Sequence, residues 1–443
     1  MKSGDCGEAR VADLAHDGRG IARVEGKAVF IAGALPGERV RFRVVRARRQ
    51  LDEAQLLEVL EPSADRVTPR CAHFGVCGGC TLQHLAPAAQ LEAKQQQLLE
   101  SLARIGQVQP RQVLAPLAGP AFGYRRRARL GLRFVHKKGR VLAGFRERDK
   151  PYVADIKRCE TLIERFSNLP AALAQLVQSL SLAERLPQVE LAAGDDAAAL
   201  VFRVLEEPTA SDRAALERFG VEAGVSVYLQ PAGPASVVPL TPAPPPLRHA
   251  VDGGHIVLEF GPLDFVQVNR EVNAAMVTRA LEILGPKPAD RVLDLFCGLG
   301  NFTLPIARRA GRVIGVEGDA ALIARARANA LRNGLANVEF AAADLFQPGK
   351  LGPWDEERYD LVLLDPPRAG ALSIMERMTQ WAPERVVYIS CHPGSLARDA
   401  GQLVGSKQYE LIGAGVMDMF PQTAHVESIA VFERTSGRSA PRT

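Results

Sequence analysis

The chain has 443 residues, 47% of them hydrophobic, with 55 Lys and Arg against 50 Asp and Glu for a formal charge of +5. That length predicts two or three domains with sizeable cores, and no apolar run approaches the ~18 residues of a membrane span, so no membrane-spanning helix is expected. Seven cysteines behind an N-terminus without an apolar signal core predict a reducing, cytoplasmic setting, where thiols serve metals or catalysis rather than disulfides.

Residues 8–60 read as short strands at 11–14, 21–24, 28–32, 39–45 and 55–60, with Asp17-Gly-Arg-Gly20, Glu25-Gly26 and Leu35-Pro-Gly37 as turns between them. Five strands in so short a stretch predict a small closed barrel of the OB kind, whose open face binds single-stranded nucleic acid. Six arginines fall between Arg39 and Arg49. In 39–45 they alternate with apolar residues, which puts them together on the solvent face. Residues 62–69 read as a linker.

Cys71-Ala-His-Phe-Gly-Val-Cys77-Gly-Gly-Cys80 follows. A Cys-x2-Cys pair clamps a metal or cluster, and the glycines let the backbone curl round it. The best fourth ligand is Cys159, in Asp155-Ile-Lys-Arg-Cys159. Spacing alone leaves zinc and iron–sulfur both open; His73 reads as a bystander.

A helix is predicted over 83–105 and a hairpin over 121–150, turning at Lys137-Lys-Gly139. Eleven Lys and Arg fall between Arg125 and Lys150, among the aromatics Phe122, Tyr124, Phe134 and Phe145. Such a run is usually a solvated face, but basic charge with interleaved aromatics also suits phosphates and unpaired bases. A helical stretch at 161–182 and strands at 189–193, 199–205 and 225–229 make 106–260 an α+β unit. Residues 231–246, with seven prolines, read as a surface loop, and 255–260 with 264–268 as a hairpin through Gly261-Pro262.

The second half alternates. Helices are predicted at 271–284, 301–310, 320–332, 372–381 and about 395–404. Strands are predicted at 291–296, 312–317, 338–341, 359–365, 385–390, 409–414 and 426–433. This alternation predicts a doubly wound parallel sheet with ligands at the strand C-terminal ends.

The chemistry gathers at those ends. Arg291-Val-Leu-Asp-Leu-Phe-Cys-Gly-Leu-Gly-Asn301 is strand, glycine turn and helix start, the geometry that admits a nucleotide. The third small residue of a dinucleotide fingerprint is missing, since position 303 is Thr. An acid, Asp294, sits at the strand end instead. This combination suits S-adenosylmethionine, which has no phosphate and carries an amino-acid group; a nicotinamide oxidoreductase fits least. Asp294, Glu317, Asp344 and Asp365 fall at or just after successive strand ends. Any one of them could be a helix cap; four together point to a ligand. Glu317 stands at the spacing that reaches ribose hydroxyls, and Asp344 where it would meet an adenine amino group.

Tyr388-Ile-Ser-Cys391-His-Pro-Gly-Ser395 places a cysteine on the turn after the fifth strand, where helix amide dipoles favour the thiolate. A thiolate beside a methyl donor has a definite use. Its addition to carbon 6 of a uracil makes carbon 5 nucleophilic enough to take the methyl group, after which a base removes the carbon-5 proton. Glu427, in His425-Val-Glu-Ser428, is the candidate base. His425 is a weaker second, and a structural role for Glu427 is the bland alternative. An amino-methylating nucleic-acid transferase, which would not need Cys391, and an RNA-binding protein with a vestigial donor fold are the competing readings.

On Asp365-Pro-Pro-Arg368 and Ser390-Cys391-His-Pro, which are far more specific than the glycine turn, the chain resembles the RNA uracil-C5 methyltransferases over nearly its whole length. The resemblance implies an N-terminal OB-like TRAM β-barrel at 1–62. It implies a central α+β RNA-binding domain with a four-cysteine iron–sulfur site at 63–260, and a C-terminal α/β Rossmann-like methyltransferase domain at 261–443, onto which residues 83–115 pack back. It implies a [4Fe–4S] cluster on Cys71, Cys77, Cys80 and Cys159, and S-adenosylmethionine on Gln267, Phe296, Asn301, Glu317, Asp344 and Asp365. Cys391 becomes the nucleophile and Glu427 the base, with no departure from the family pattern at these positions. The substrate implied is one uridine of 23S ribosomal RNA, because the transfer-RNA members are expected to lack barrel and cluster, and a second ribosomal member the barrel. The same chemistry on transfer RNA or another 23S site is the alternative. A cytoplasmic monomer with no membrane partner is expected.

Overall fold

The computed structural model describes residues 1–435 apart from Pro348, Lys350 and Leu351. Strands Cys6–Leu14, Gly20–Val24, Lys27–Ala32, Arg39–Ala47 and Leu51–Glu61 close into the expected five-stranded barrel. Its core holds Val29, Ile31, Val40, Phe42 and Val44. Arg39, Arg41 and Arg43 alternate with these on the outside, as a period of two requires. The arginine face is not simply free charge, however. Arg39 pairs with Glu8 and Glu61, and Arg41 with Glu8 and Glu58.

The central sheet has six strands in the order Val238–Pro239, Ser226–Gln230, Ala198–Arg203, Gln188–Ala193, Arg127–Val135, Arg140–Gly144. Arg127–Val135 and Arg140–Gly144 form the expected basic hairpin through a turn at His136–Lys138. Helix Ala210–Ala223 was not expected. Its signal was present: Thr209 and Asp212 form a capping box, each side chain bonding the other's backbone N–H. The hairpin expected at 255–260 and 264–268 forms with a different partner. Ile256–Phe260 pairs back onto Leu247–Val251, and 264–268 is not a strand. The prolines at 242–246 hid the upstream strand. This hairpin packs through Val251, Ile256 and Leu258 on Leu304, Ile323 and Ala326 of the last sheet's helices.

That last sheet has eight strands in the order Val338–Ala342, Arg312–Glu317, Arg291–Leu295, Leu361–Leu364, Arg385–Ser390, Glu427–Arg434, Tyr409–Met417, Gln112–Val113. The first five are parallel. Glu427–Arg434 runs antiparallel to both neighbours, so the sheet is mixed rather than wholly parallel. Two helices are shorter than expected: 301–310 is helical only over Thr303–Ala307, and 372–381 splits into Leu372–Met375 and Met378–Trp381.

Helix Pro87–Ser101 and the turn Leu102–Gly106 lie far from this sheet in sequence but pack on it, with Leu98 and Leu102 in one core with Leu396, Ala397 and Leu403. Gly106 allows the contact, because a Cβ there would stand 2.3 Å from the Ala397 carbonyl oxygen. Buried Lys94 on the helix bonds Asp418 at 2.6 Å, and breaking a buried pair of this kind costs about 3–5 kcal/mol. No helix among the described residues is long and apolar enough to cross a membrane.

Candidate active site and four-cysteine site

The parallel strands point their C-terminal ends to one edge of the sheet. Arg291–Leu295 delivers Asp294 there, 1% exposed, its Oδ2 accepting from Thr303 Oγ1 at 2.5 Å and its Oδ1 without a partner among the described residues. Burial pushes its carboxyl up to about 8, and Asp365 and Glu317 add to the push. The chain then turns through Phe296, whose φ of +62° is unusual for a side chain of that size. Its ring lies 5.7 Å from that of Phe346. Glu317, half-buried at the next strand end, accepts from the backbone N–H of Gly298 at 3.1 Å and of Gly318 at 2.7 Å, which ties the glycine turn to the second strand.

Asn301 and Asn273 exchange two amide hydrogen bonds of 3.0 Å. Buried His249 adds a third polar side chain beside Asn301 and is held neutral by burial, its pKa down to about 4. Nothing in the spacing of the sequence marked Asn273 or His249. Gln267 is half-buried on the extended segment that leads into helix Arg270–Leu284, two residues before Asn269, whose buried Nδ2 has no partner among the described residues. Asp344 is exposed on the loop after Val338–Ala342, where its carboxylate caps the Phe346 N–H at 3.0 Å. Asp365, after Leu361–Leu364, is pushed by burial up to about 7.

Cys391 and Glu427 meet because the last strand is antiparallel. Ser390 at the C-terminal end of Arg385–Ser390 stands opposite Ser428 near the N-terminal end of Glu427–Arg434. The residues just beyond this pair are the cysteine and the glutamate. Glu427 is 3% exposed, and burial together with Asp365 holds its carboxyl well above the usual carboxylate range. The expectation of a thiolate-favouring turn is corrected. Burial, then Glu427 and Asp365, push the Cys391 thiol up to about 11, with Arg368 pulling the other way. The helix that follows does not offset this: His392 is its N-cap, and its own Nδ1 takes the Ser395 N–H at 3.1 Å. His425 is occupied, its Nδ1 lying 2.8 Å from the Arg368 guanidinium. Asp294, Glu317, Asp365, Glu427 and Cys391 thus form one continuous field at the sheet edge. A sheet edge this rich in buried and half-buried carboxyls suits a cationic ligand.

The loop at 71–80 and Cys159 converge on the basic hairpin. Gly78 N–H donates to the Arg146 carbonyl at 2.8 Å, and Cys159 Sγ lies 3.3 Å from Thr161 Oγ1. The thiols of Cys71, Cys77, Cys80 and Cys159 share one electrostatic neighbourhood. Burial first, then the neighbouring thiols, push Cys77 up to about 12 and Cys80 to about 11. Among the described residues, however, no group of three or more His, Cys, Asp or Glu side chains is drawn close enough to hold a metal ion. The donor chemistry fits a thiophilic metal or cluster, since one buried and three half-buried thiols that oppose one another's ionisation are what a bound cation offsets.

Basic charge is concentrated on the same hairpin. Arg126, Arg127 and Arg129 are engaged by Asp195 and Glu190, and Arg140 by Asp155. Exposed Arg133, Lys137, Lys138 and Arg146 line an open groove of about 1250 Å³ together with Phe134 and Tyr152.

Compared with known proteins, residues 86–435 match the family described as tRNA (Uracil-5-)-methyltransferase, and residues 3–57 match the TRAM domain. The 23S rRNA (uracil(1939)-C(5))-methyltransferase RlmD of Methylococcus capsulatus is 51% identical over 427 residues, covering 96% of each chain. The protein of the same name from Xanthomonas euvesicatoria is 51% identical over 430 residues, 96% of this chain and 97% of its own. Among solved structures, the Pyrococcus abyssi tRNA (uracil-54, C5)-methyltransferase in complex with S-adenosyl-L-homocysteine superposes with a TM-score of 0.72 at 23% identity. It covers 96% of this chain and 100% of its own. That coverage leaves too little of this chain unmatched to omit a barrel at 3–57, so the expectation that transfer-RNA members lack the barrel is overturned.

Proposed function

Since the chain belongs to the RNA uracil-5-methyltransferase family, we propose that it methylates carbon 5 of one uridine in 23S ribosomal RNA through a covalent adduct on Cys391. The observation that carries the chemistry is the meeting of Cys391 and Glu427 across the antiparallel strand pair. The substrate reading rests on the relatives that share half of this sequence; barrel content alone does not select it.

Gln267, Phe296, Asn301, Glu317, Asp344 and Asp365 would hold S-adenosylmethionine, and the carboxyl field of the sheet edge supports a ligand with a positive sulfonium. When bound, that ligand supplies an electrophilic methyl group. Once Cys391 has released its thiol proton to solvent, its Sγ adds to carbon 6 of the uracil, and the carbon 5–carbon 6 π pair moves onto carbon 5 and the carbon-4 oxygen. The pair on carbon 5 would form the new bond to the methyl carbon as the methyl–sulfur bond breaks, its electrons staying on sulfur, so that the sulfonium would leave as a neutral thioether. Glu427 then takes the carbon-5 proton, the double bond re-forms, and Cys391 leaves as thiolate. Burial beside Asp365 makes the ionised Glu427 a stronger proton acceptor than an exposed glutamate. The target base must leave its stack to reach this edge, and the exposed Arg133, Lys137, Lys138 and Arg146 of the basic groove are our candidates to hold RNA phosphates.

Cys71, Cys77, Cys80 and Cys159 are our candidate ligands for a [4Fe–4S] cluster, which would tie the 71–80 loop to the central domain; methyl transfer needs no redox step from it. We divide the chain into a barrel at 1–62, a central domain to about 246, and a methyltransferase domain that also takes in the 87–113 segment and the 247–260 hairpin. We read the protein as a cytoplasmic monomer.

Replacing Glu427 with Gln tests the mechanism. Elimination should stall, so a denaturation-stable protein–RNA adduct builds up on a 23S fragment with S-adenosylmethionine while turnover falls by about two to four orders of magnitude. Normal turnover with no adduct would remove Glu427 from the role of base.

A further inference from the structure

Between the barrel and helix Pro87–Ser101 lies a cleft of about 380 Å³ that the chemistry above does not use. One wall is the barrel, with exposed His16 and half-buried Phe30, over whose ring the Arg19 guanidinium stands at 4.9 Å. The other is the helix, lined by Gln97 and by Gln96, whose amide nitrogen donates to Glu100 Oε1 at 2.9 Å and whose amide oxygen is left to accept. Arg104, paired with Glu100 at 3.2 Å, stands at the end of that wall and is largely solvent-exposed.

The cleft adjoins the turn that carries Cys391. Ile105 lines it, is 56% exposed, and lies 3.8 Å from where a Cβ on Gly394 would stand, three residues after Cys391. Ala424 also lines it and immediately precedes His425 and the strand that begins with Glu427. Burial first, then Arg368, lower the pKa of His392, and the charge of His16 adds to that push. RNA that delivers a base to Cys391 would have this opening beside it.

The lining has the chemistry of a base reader. An aromatic ring backed by a guanidinium stacks on a nucleobase, and side-chain amides bond its edges. The space suits one small ligand, not a duplex. We propose that this cleft is a specificity site for one unpaired RNA nucleotide close in sequence to the target uridine, stacked on Phe30 and read by the amides of Gln96 and Gln97. The proposal rests on the RNA-methylating reading above.

The test is a set of 23S fragments in which each nucleotide flanking the target is made abasic in turn, with kcat/KM for methylation measured for the intact protein and for Phe30→Ala and Gln97→Ala. With the unaltered protein, one flanking abasic position should lose about tenfold, the scale of one base–aromatic stack. Phe30→Ala should lose about tenfold on intact RNA and nothing further at that position. Gln97→Ala, on the helix surface, should narrow discrimination among the four bases there, which keeps the proposal testable if Phe30→Ala disturbs the barrel. If no flanking position is sensitive, or if the Phe30 and abasic losses multiply, the cleft does not read a nucleotide. If the unaltered protein methylates none of the fragments, the RNA-methylating reading itself fails, and the cleft proposal with it.

Discussion

Burial pushes Asp294 up to about 8 and Asp365 to about 7, and holds Glu427 well above its ordinary range. These carboxyls bind protons more tightly when folded than when unfolded. Between the unfolded value near 4 and these folded values the native state carries the extra protons, so stability falls as pH rises through that window, by up to about 1.4 kcal/mol per pH unit per group. Asp365→Asn should therefore unfold at a higher temperature than the unaltered protein at pH 8, measured without methyl donor, with the gap shrinking toward pH 5. A gap independent of pH would show that Asp365 is not a raised, buried acid. The four strand-end acids were legible in the sequence because strand ends are where such sheets bind ligands. The resting state of Cys391 was not. The helix start visible in Pro393-Gly-Ser395 argued for thiolate, and only the fold shows that burial, with the charges of Glu427 and Asp365, acts against it while the His392 ring takes the Ser395 N–H.

Among the elements, strand Glu427–Arg434 matters most. Its length and apolar pattern were readable, but its direction was not, because a run of buried apolar residues looks the same in either sense. Direction is what sets Glu427 beside Cys391 rather than at the far edge of the sheet. The hairpin at 247–260 failed for a related reason: Ile256–Phe260 was recognised, but pairing is a long-range choice that local turn signals decided wrongly. The loop at 71–80 is the other element with chemical content. If its cysteines and Cys159 hold a [4Fe–4S] cluster, protein purified without oxygen should be brown, with a broad absorbance near ~400 nm that Cys77→Ser abolishes. A colourless, zinc-containing protein would contradict the cluster and restore the alternative that the spacing left open.

At the scale of the whole molecule, the chain leaves the barrel, lays helix Pro87–Ser101 and strand Gln112–Val113 on the methyltransferase sheet, builds the central domain, and returns. Residues 83–105 showed helical periodicity, but nothing local told which sheet the helix would cover. That return brings the barrel and the Pro87–Ser101 helix beside the sheet edge that carries Cys391. The account stands or falls on whether that cysteine bonds to the RNA. The most direct measurement is a denaturing gel and intact mass of the protein incubated with S-adenosylmethionine and a 23S fragment carrying 5-fluorouridine at the target. Fluorine cannot be removed as a proton, so the reaction stops before elimination. The account predicts a denaturation-stable adduct carrying the methyl group, absent in Cys391→Ala. Methyl transfer to the natural fragment without any adduct on the fluorinated one, or full activity in Cys391→Ala, would contradict it.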